Sequence, residues 1–196
     1  MRRPDSSRGG VNGCRRRQLS IAISAALGLW PWQECAAQSD ALVAEYKVKA
    51  AYLYKIAGYV QWPTHALPEP ESPLVVGLLG ADRLADELAQ IVADRRVDTH
   101  PVVLRKLRRG DPVTGLHMLF IGRTESASVP DILAATRGKP VLTITEQETD
   151  FSAGSMVNFV LFDDKVRFDV APRQSELANL KISARLLTVA RRLARD

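Results

Sequence analysis

Cysteine is almost absent from this sequence of 196 residues. Its two cysteines, Cys14 and Cys35, both lie within the first 37 residues. Residues 38–196 therefore form no disulfide, and they contain neither a thiol nucleophile nor a thiolate ligand for a metal ion. Redox control through a disulfide is excluded for that part of the chain.

Hydrophobic runs long enough to cross a bilayer are missing as well. The apolar run near the N-terminus, IAISAALGLW at 21–30, has about half of the roughly 20 residues that a membrane-spanning helix needs. Six arginines precede this run, Pro31 interrupts it, and small residues follow as far as Ala37. This order is typical of a cleavable secretory signal. We predict a signal peptide over residues 1–37, cleaved near Ala37, and one exported domain over residues 38–196.

A large excess of one charge is also missing once the signal is set aside. The whole sequence has a net charge of +5, but residues 1–37 hold six of the 27 Lys and Arg and two of the 22 Asp and Glu. The remaining 21 basic and 20 acidic residues nearly cancel, which argues against a nucleic acid as partner, because nucleic-acid-binding domains carry a basic surface. The pair Arg15 and Arg16 leaves both the general and the twin-arginine export routes open.

The exported part alternates between helix-like and strand-like apolar patterns. A helix is predicted from about Ser39 to Val60, because Val48, Tyr52 and Ile56 recur at helical spacing. Short apolar runs predict strands at LVVGLLG, PVVLRKL, HMLFIG and VLTIT, with helices after the first and third of them. Alternation of strands and helices is the pattern of parallel βαβ units.

The C-terminal third has a different pattern. The runs SMVNFVLF and KVRFDV flank Asp163-Asp164 and predict an antiparallel hairpin, with Arg167 and Asp169 on its solvent-facing side. From about Pro172 to Ala194 the sequence predicts one or two helices, with Leu186, Ala190 and Leu193 turned inward. We therefore predict a single α/β domain with a mixed, largely parallel sheet, a C-terminal antiparallel hairpin and helices on both faces.

No motif predicts catalysis, a cofactor or a metal ion. The strand-to-helix turn VGLLGAD has Leu79 and Asp82 where a dinucleotide-binding fingerprint needs glycine. The serines near Gly154 do not stand in a nucleophile-elbow motif, and the three histidines, including His117, lack spaced partners. We therefore predict no catalytic, cofactor-binding or metal-binding residue and a function that is not enzymatic.

Five residues are candidates for binding a ligand or a partner. Tyr59, Gln61 and Trp62 bring amphipathic side chains together before a proline, where the rings either fill the core or line a groove. Lys181 and Ser183 place an ammonium, predicted to be partly buried, and a hydroxyl between apolar neighbours. Ser183 is also a predicted N-cap of the last helix.

The residue runs EYKVKAAYLYKIAGYVQWP, LVVGLLG, HMLFIG, GKPVLTIT, SMVNFV and NLKISARLLTVA, in this order, resemble the YfiR family of periplasmic proteins. The likeness extends from about Glu45 to Ala190. Its most specific parts are the helix that ends in Trp62-Pro63 and the Leu-Lys-Ile-Ser run. The chain departs from the family pattern at Leu116, where members often carry cysteine.

This resemblance implies a periplasmic regulator without enzymatic activity. Members bind the periplasmic sensor region of an inner-membrane diguanylate cyclase and repress the synthesis of cyclic di-GMP, and with it biofilm formation. The protein would then be peripheral to the inner membrane through its partner. A small-ligand sensor without a cyclase partner is the alternative, and an exposed hairpin edge or the first helix leaves a homodimer open.

Overall fold

A computed structural model describes residues 31–147 and 154–194. The first helix, α1, extends over Pro31–Ala57, so it begins before the predicted start at Ser39. Most of the predicted signal, residues 1–30, lies outside the described residues, and the cleavage near Ala37 stays a prediction.

An eight-stranded sheet forms the centre of the fold. Its core consists of β2 (Leu74–Leu79), β4 (His100–Leu107), β5 (Met118–Ile121) and β6 (Leu142–Thr145). These four strands lie side by side in the order β4, β2, β5, β6, and all of them are parallel. The four apolar runs of the sequence therefore form the parallel part of the sheet, as predicted.

Two further strands make the C-terminal hairpin. β7 (Val157–Phe162) continues the sheet parallel to β6, and β8 (Lys165–Val170) pairs antiparallel with β7. Asp163 and Asp164 connect them with φ angles of 49° and 55°, which are typical of a two-residue type I′ turn. The predicted hairpin is confirmed.

Helices cover both faces of the sheet, as predicted. α1 and α2 (Asp82–Val92) lie on one face, and α3 (Val129–Thr136) lies on the other, after a 3-10 turn over Arg123–Ser128. Alternate residues of β5 point to opposite sides, because successive strand side chains do so. One apolar cluster joins Met118 and Phe120 to α1 and α2, and the other joins Leu119 and Ile121 to α3.

Short elements complete the chain. The strand β3 (Arg96–Val97) pairs with β4, and β10 (Arg192–Leu193) pairs with β8. β3 and β10 therefore form the two edges of the eight-stranded sheet. A separate two-stranded sheet joins β1 (Val60–Gln61) to β9 (Lys181–Ile182). The remaining helices are α4 (Pro172–Leu177) and α5 (Ala184–Val189).

The prediction for the C-terminal region was wrong at two places. Leu193 belongs to the edge strand β10 and is 44% exposed, so it does not turn inward, although Leu186 does. Asp169 is only 1% exposed, whereas alternation predicted a solvent-facing position. The reason is that the segment after α5 returns to β8 and covers Asp169, and Arg191 in that segment pairs with its carboxylate.

Candidate functional site

Four of the five candidate residues come together where β1 meets β9. The antiparallel register places Gln61 opposite Lys181, and the backbone N–H of Ser183 donates to the carbonyl oxygen of Tyr59 at 2.8 Å. Residues 120 positions apart in the chain therefore form one small surface. Ser183 also caps α5, as predicted, since its Oγ accepts from the backbone N–H of Arg185 at 3.3 Å.

A cavity of about 410 Å³ opens at this junction. Besides the four candidates, Asp98 and Arg185 contribute charged side chains to its wall. Lys181 is exposed rather than partly buried, because β9 belongs to a two-stranded sheet with no further strand beside it. The two cations outnumber the single carboxylate of Asp98, and two hydroxyl groups stand beside them. The net positive wall suits a small anionic ligand.

Trp62 lies outside this cavity. Its Nε1–H donates to the carbonyl oxygen of His117 at 3.1 Å, and the two rings meet edge to face with centroids 6.5 Å apart. The side chain is half-buried against the core. Of the two interpretations of the aromatic residues, the packing one therefore applies to Trp62.

His117 is a residue that sequence reasoning passed over. Its Nδ1 accepts from the backbone N–H of Val75 at 3.0 Å, so its Nε2 carries the proton and donates to the carbonyl oxygen of Ala66, also at 3.0 Å. The imidazole thus fastens the connector between β1 and β2, residues 62–73, to the amino ends of β2 and β5. The signal in the sequence was weak, because a lone histidine before a strand has no spaced partner.

A buried ionic cluster joins α1 to the carboxyl ends of the strands. Lys49 on α1 is 1% exposed, and its Nζ contacts the carboxylates of Glu45 on the same helix and Glu146 after β6. Arg123, directly after β5 and Gly122, donates through Nε to Glu146 at 2.8 Å and lies 3.4 Å from Glu45. Two cations and two carboxylates balance, and burial of the lysine is possible because both carboxylates reach it.

A second cluster closes the base of the hairpin. Arg191 donates from Nε to Asp169 at 2.8 Å and from its second guanidinium nitrogen to the other oxygen, a bidentate arrangement. These hydrogen bonds raise the pKa of Arg191 further above its already high value. The same guanidinium lies over the ring of Phe162, 5.6 Å from its centroid.

An apolar groove runs between α1 and the hairpin. Its volume is about 690 Å³, and its walls include Leu42, Val48 and Tyr52 from the helix and Leu161 and Val166 from the hairpin. Asp164, Lys165 and Arg167 stand on the hairpin side of the groove. Sequence reasoning missed it, because the groove exists only where the two elements, more than 100 residues apart, lie side by side.

The sequence of this domain matches a known family. The sequence profile described as YfiR/HmsC-like matches residues 46–191, about three quarters of the chain. The chain belongs to the YfiR/HmsC-like family. The match begins within α1 and ends at Arg191. The YfiR/HmsC-like region therefore contains the β1–β9 cavity, His117, the Asp169 cluster and, except for Glu45, the Lys49 cluster. A comparison with curated proteins finds no match.

Over residues 31–147 and 154–194, no helix is long and apolar enough to cross a membrane. Within the same ranges, no three acidic, histidine or cysteine side chains are grouped in a way that could hold a metal ion.

Proposed function

We propose that this protein is a periplasmic regulator that acts by binding, without enzymatic activity. It binds the periplasmic sensor region of an inner-membrane diguanylate cyclase and represses the synthesis of cyclic di-GMP. The observation that carries this proposal is the YfiR/HmsC-like match over residues 46–191. The predicted signal peptide supports it, because export would bring the domain to the side of the membrane where such a sensor region lies.

Repression by binding follows from population shift. A partner that binds one conformation of a receptor more tightly than another shifts the receptor toward that conformation by its differential affinity. A shift from almost fully active to almost fully inactive takes about a 10⁴-fold preference. The regulator needs no contact with cyclic di-GMP, which is made on the other side of the membrane.

Deletion of the gene tests this function in the cell. We expect cyclic di-GMP and biofilm formation to rise in the deletion strain and to return when the wild-type gene is restored. A copy without residues 1–37 should fail to restore repression, because its product stays in the cytoplasm. Unchanged cyclic di-GMP after deletion, in a strain that expresses an inner-membrane diguanylate cyclase with a periplasmic sensor region, would contradict the proposal.

Co-purification tests the physical contact. Tagged exported protein should retain the detergent-solubilised cyclase, and a cyclase that lacks its periplasmic region is the matched control. Retention of both forms, or of neither, would argue against a contact through that region.

A second candidate function is that of a small-ligand sensor, and the β1–β9 cavity favours it. Tyr59 and Ser183 offer hydroxyls, Gln61 an amide, and Lys181 and Arg185 positive charge around about 410 Å³. Thermal-shift screening with small carboxylates and phosphates tests it, with Lys181→Ala as the site variant and Lys139→Ala, an exposed lysine outside the cavity, as control. A ligand that stabilises wild type and the control but not Lys181→Ala supports this function, whereas equal stabilisation of all three contradicts it.

A further inference from the structure

The apolar groove between α1 and the hairpin leaves hydrophobic side chains exposed to solvent. Three of the ten large hydrophobic side chains that the described residues leave exposed line it: Leu42, Val48 and Leu161. Each of them is between 41% and 45% exposed. Soluble proteins rarely leave apolar groups together in this way unless another molecule covers them.

We infer that this groove is the docking surface for a short amphipathic helix with acidic flanks, which belongs to the periplasmic region of the membrane-bound partner. The inference rests on the proposed function and adds the surface and the kind of segment that it holds.

The shape of the groove fits a helix. The α1 wall extends from Ala41 to Tyr52, which is about 17 Å at 1.5 Å per residue, or about three helical turns. The opposite wall is formed by β7 and β8 near the hairpin tip, with Leu161 and Val166 facing the helix side. An amphipathic helix lays its apolar face into such a trough with anchors at i, i+3, i+4 and i+7.

Both walls are fixed before anything binds. On the helix side, buried Lys49 holds α1 to Glu146 at the end of β6. Tyr52 then contacts the ring of Phe168 on β8, with centroids 5.5 Å apart and planes at 69°. A preformed groove loses little conformational entropy when a partner binds, so more of the contact energy contributes to affinity.

The charge at the groove selects an acidic partner. Glu45, the acidic residue on the helix wall, already contacts Lys49 and Arg123 and is neutralised. On the hairpin wall Lys165 and Arg167 are exposed, and neither has an ion-pair partner among the described residues. Asp164 offsets one of these two charges, which leaves the groove with a net positive rim.

Binding of the exported protein to the purified periplasmic region of the cyclase tests the groove. Val48→Glu and Leu161→Glu introduce charge at positions that are already exposed, so both variants should fold. Val189→Glu on α5 and Val103→Glu on β4 are the matched helix and strand controls, with 64% and 42% exposure. We expect the groove variants to bind about tenfold or more weakly, as for hot-spot positions, and the controls to stay within about twofold.

Charge reversal gives an independent measurement. Lys165→Glu combined with Arg167→Glu should slow association about tenfold at low salt and reduce its dependence on ionic strength, because rim charges act mainly on the association rate. Lys139→Glu, an exposed lysine outside the groove, is the control. This double variant also decides the question if Leu161→Glu or Val48→Glu fails to fold.

The outcomes separate the inference from the proposed function. If wild type binds and represses the cyclase while groove and control variants behave alike, the groove is not the docking surface and the function stands. If wild type does not bind the periplasmic region, the proposed function is contradicted, and so is the assignment of a helix from that region to the groove. If Leu161→Glu converts a wild-type dimer into a monomer and leaves cyclase binding intact, a second copy occupies the groove and the inference is overturned.

Discussion

The centre of the sheet and its hairpin side are held together by different forces. β2 and β5 have apolar side chains packed on both faces, from Leu74 to Ile121. At the hairpin side, buried polar groups connect the strands. The side-chain oxygen of Asn158 accepts hydrogen bonds from Thr145 Oγ1 and from the backbone N–H of Gln147, both at 2.9 Å. The two ionic clusters around Lys49 and Asp169 lie on this side as well.

This difference predicts two responses to mutation. Apolar packing loses free energy in proportion to the atoms removed, because each methylene contributes its own burial and contacts. A buried ion pair loses much more when one partner is removed, because the other charge stays in a place without water. The hairpin side should therefore be the part of the domain that single substitutions damage most, and it carries the groove.

Lys49→Ala should produce the largest effect. The change leaves the buried carboxylate of Glu146 with Arg123 alone, and we expect it to lower the free energy of unfolding by about 3–5 kcal/mol. Urea unfolding measures the loss. The double variant Lys49→Met, Glu146→Gln should recover most of it, since neither buried charge remains. A loss below about 1 kcal/mol, as for an exposed pair, would remove the distinction between the two regions.

Asp169→Asn should have the next largest effect. Asparagine has nearly the same size as aspartate, but it is neutral and its amide nitrogen cannot accept a hydrogen bond from Arg191. Hydrogen bonds to charged groups contribute about 1.5–3 kcal/mol to stability. Asp164→Asn at the hairpin tip is the matched control, expected to stay within about 0.5 kcal/mol as a surface change. Thermal unfolding of both variants measures the difference, and equal values would show that Arg191 does not hold the edge strand.

Ile144→Val tests the centre of the sheet. Ile144 is fully buried in β6, and the removal of one methylene should cost about 0.5–1.5 kcal/mol. The same substitution should add to the effect of an apolar change in the other cluster, such as Leu133→Ala on α3, because the two sites lie on opposite faces of the sheet. Strong non-additivity in denaturant unfolding would show that the centre is coupled in the same way as the hairpin side.

Arg109→Ala should have the smallest effect. Arg109 donates two hydrogen bonds to Glu125 at 2.8 and 3.0 Å, but its side chain is 66% exposed. Removal should cost about 0.2–1 kcal/mol, because water replaces the lost partner. If urea unfolding instead gave a loss comparable with that of Lys49→Ala, ion pairing itself and not burial would account for the fragility of the hairpin side.

Much of the fold was accessible to sequence reasoning. Apolar runs bounded by turn residues predicted the central strands, and a helix, α3 (Val129–Thr136), follows the third of these runs, as the sequence indicated. The short strands β1, β9 and β10 were not predicted, because a two-residue strand has no periodicity of its own. Asp169 was misplaced for a related reason: alternation along β8 describes one strand, whereas its burial depends on a segment more than 20 residues later.

The candidate site was predicted only in its components. Tyr59, Gln61, Lys181 and Ser183 were chosen from local composition, and the structure brings them together through the pairing of β1 with β9. Trp62 was chosen by the same argument and lies elsewhere, because its ring turns toward His117. Local sequence shows which side chains are amphipathic. It does not show which way each side chain points relative to residues that are distant in the chain.

The sequence by itself determined the α/β class, the parallel core and the antiparallel hairpin, because strand periodicity and turn chemistry act over a few residues. It also determined that residues 38–196 contain no thiol. Only the tertiary structure decided which charges are buried and where the apolar groove lies. Both depend on α1 meeting the ends of strands about 100 residues away, and the free energy of a charge or an exposed leucine is set by what surrounds it.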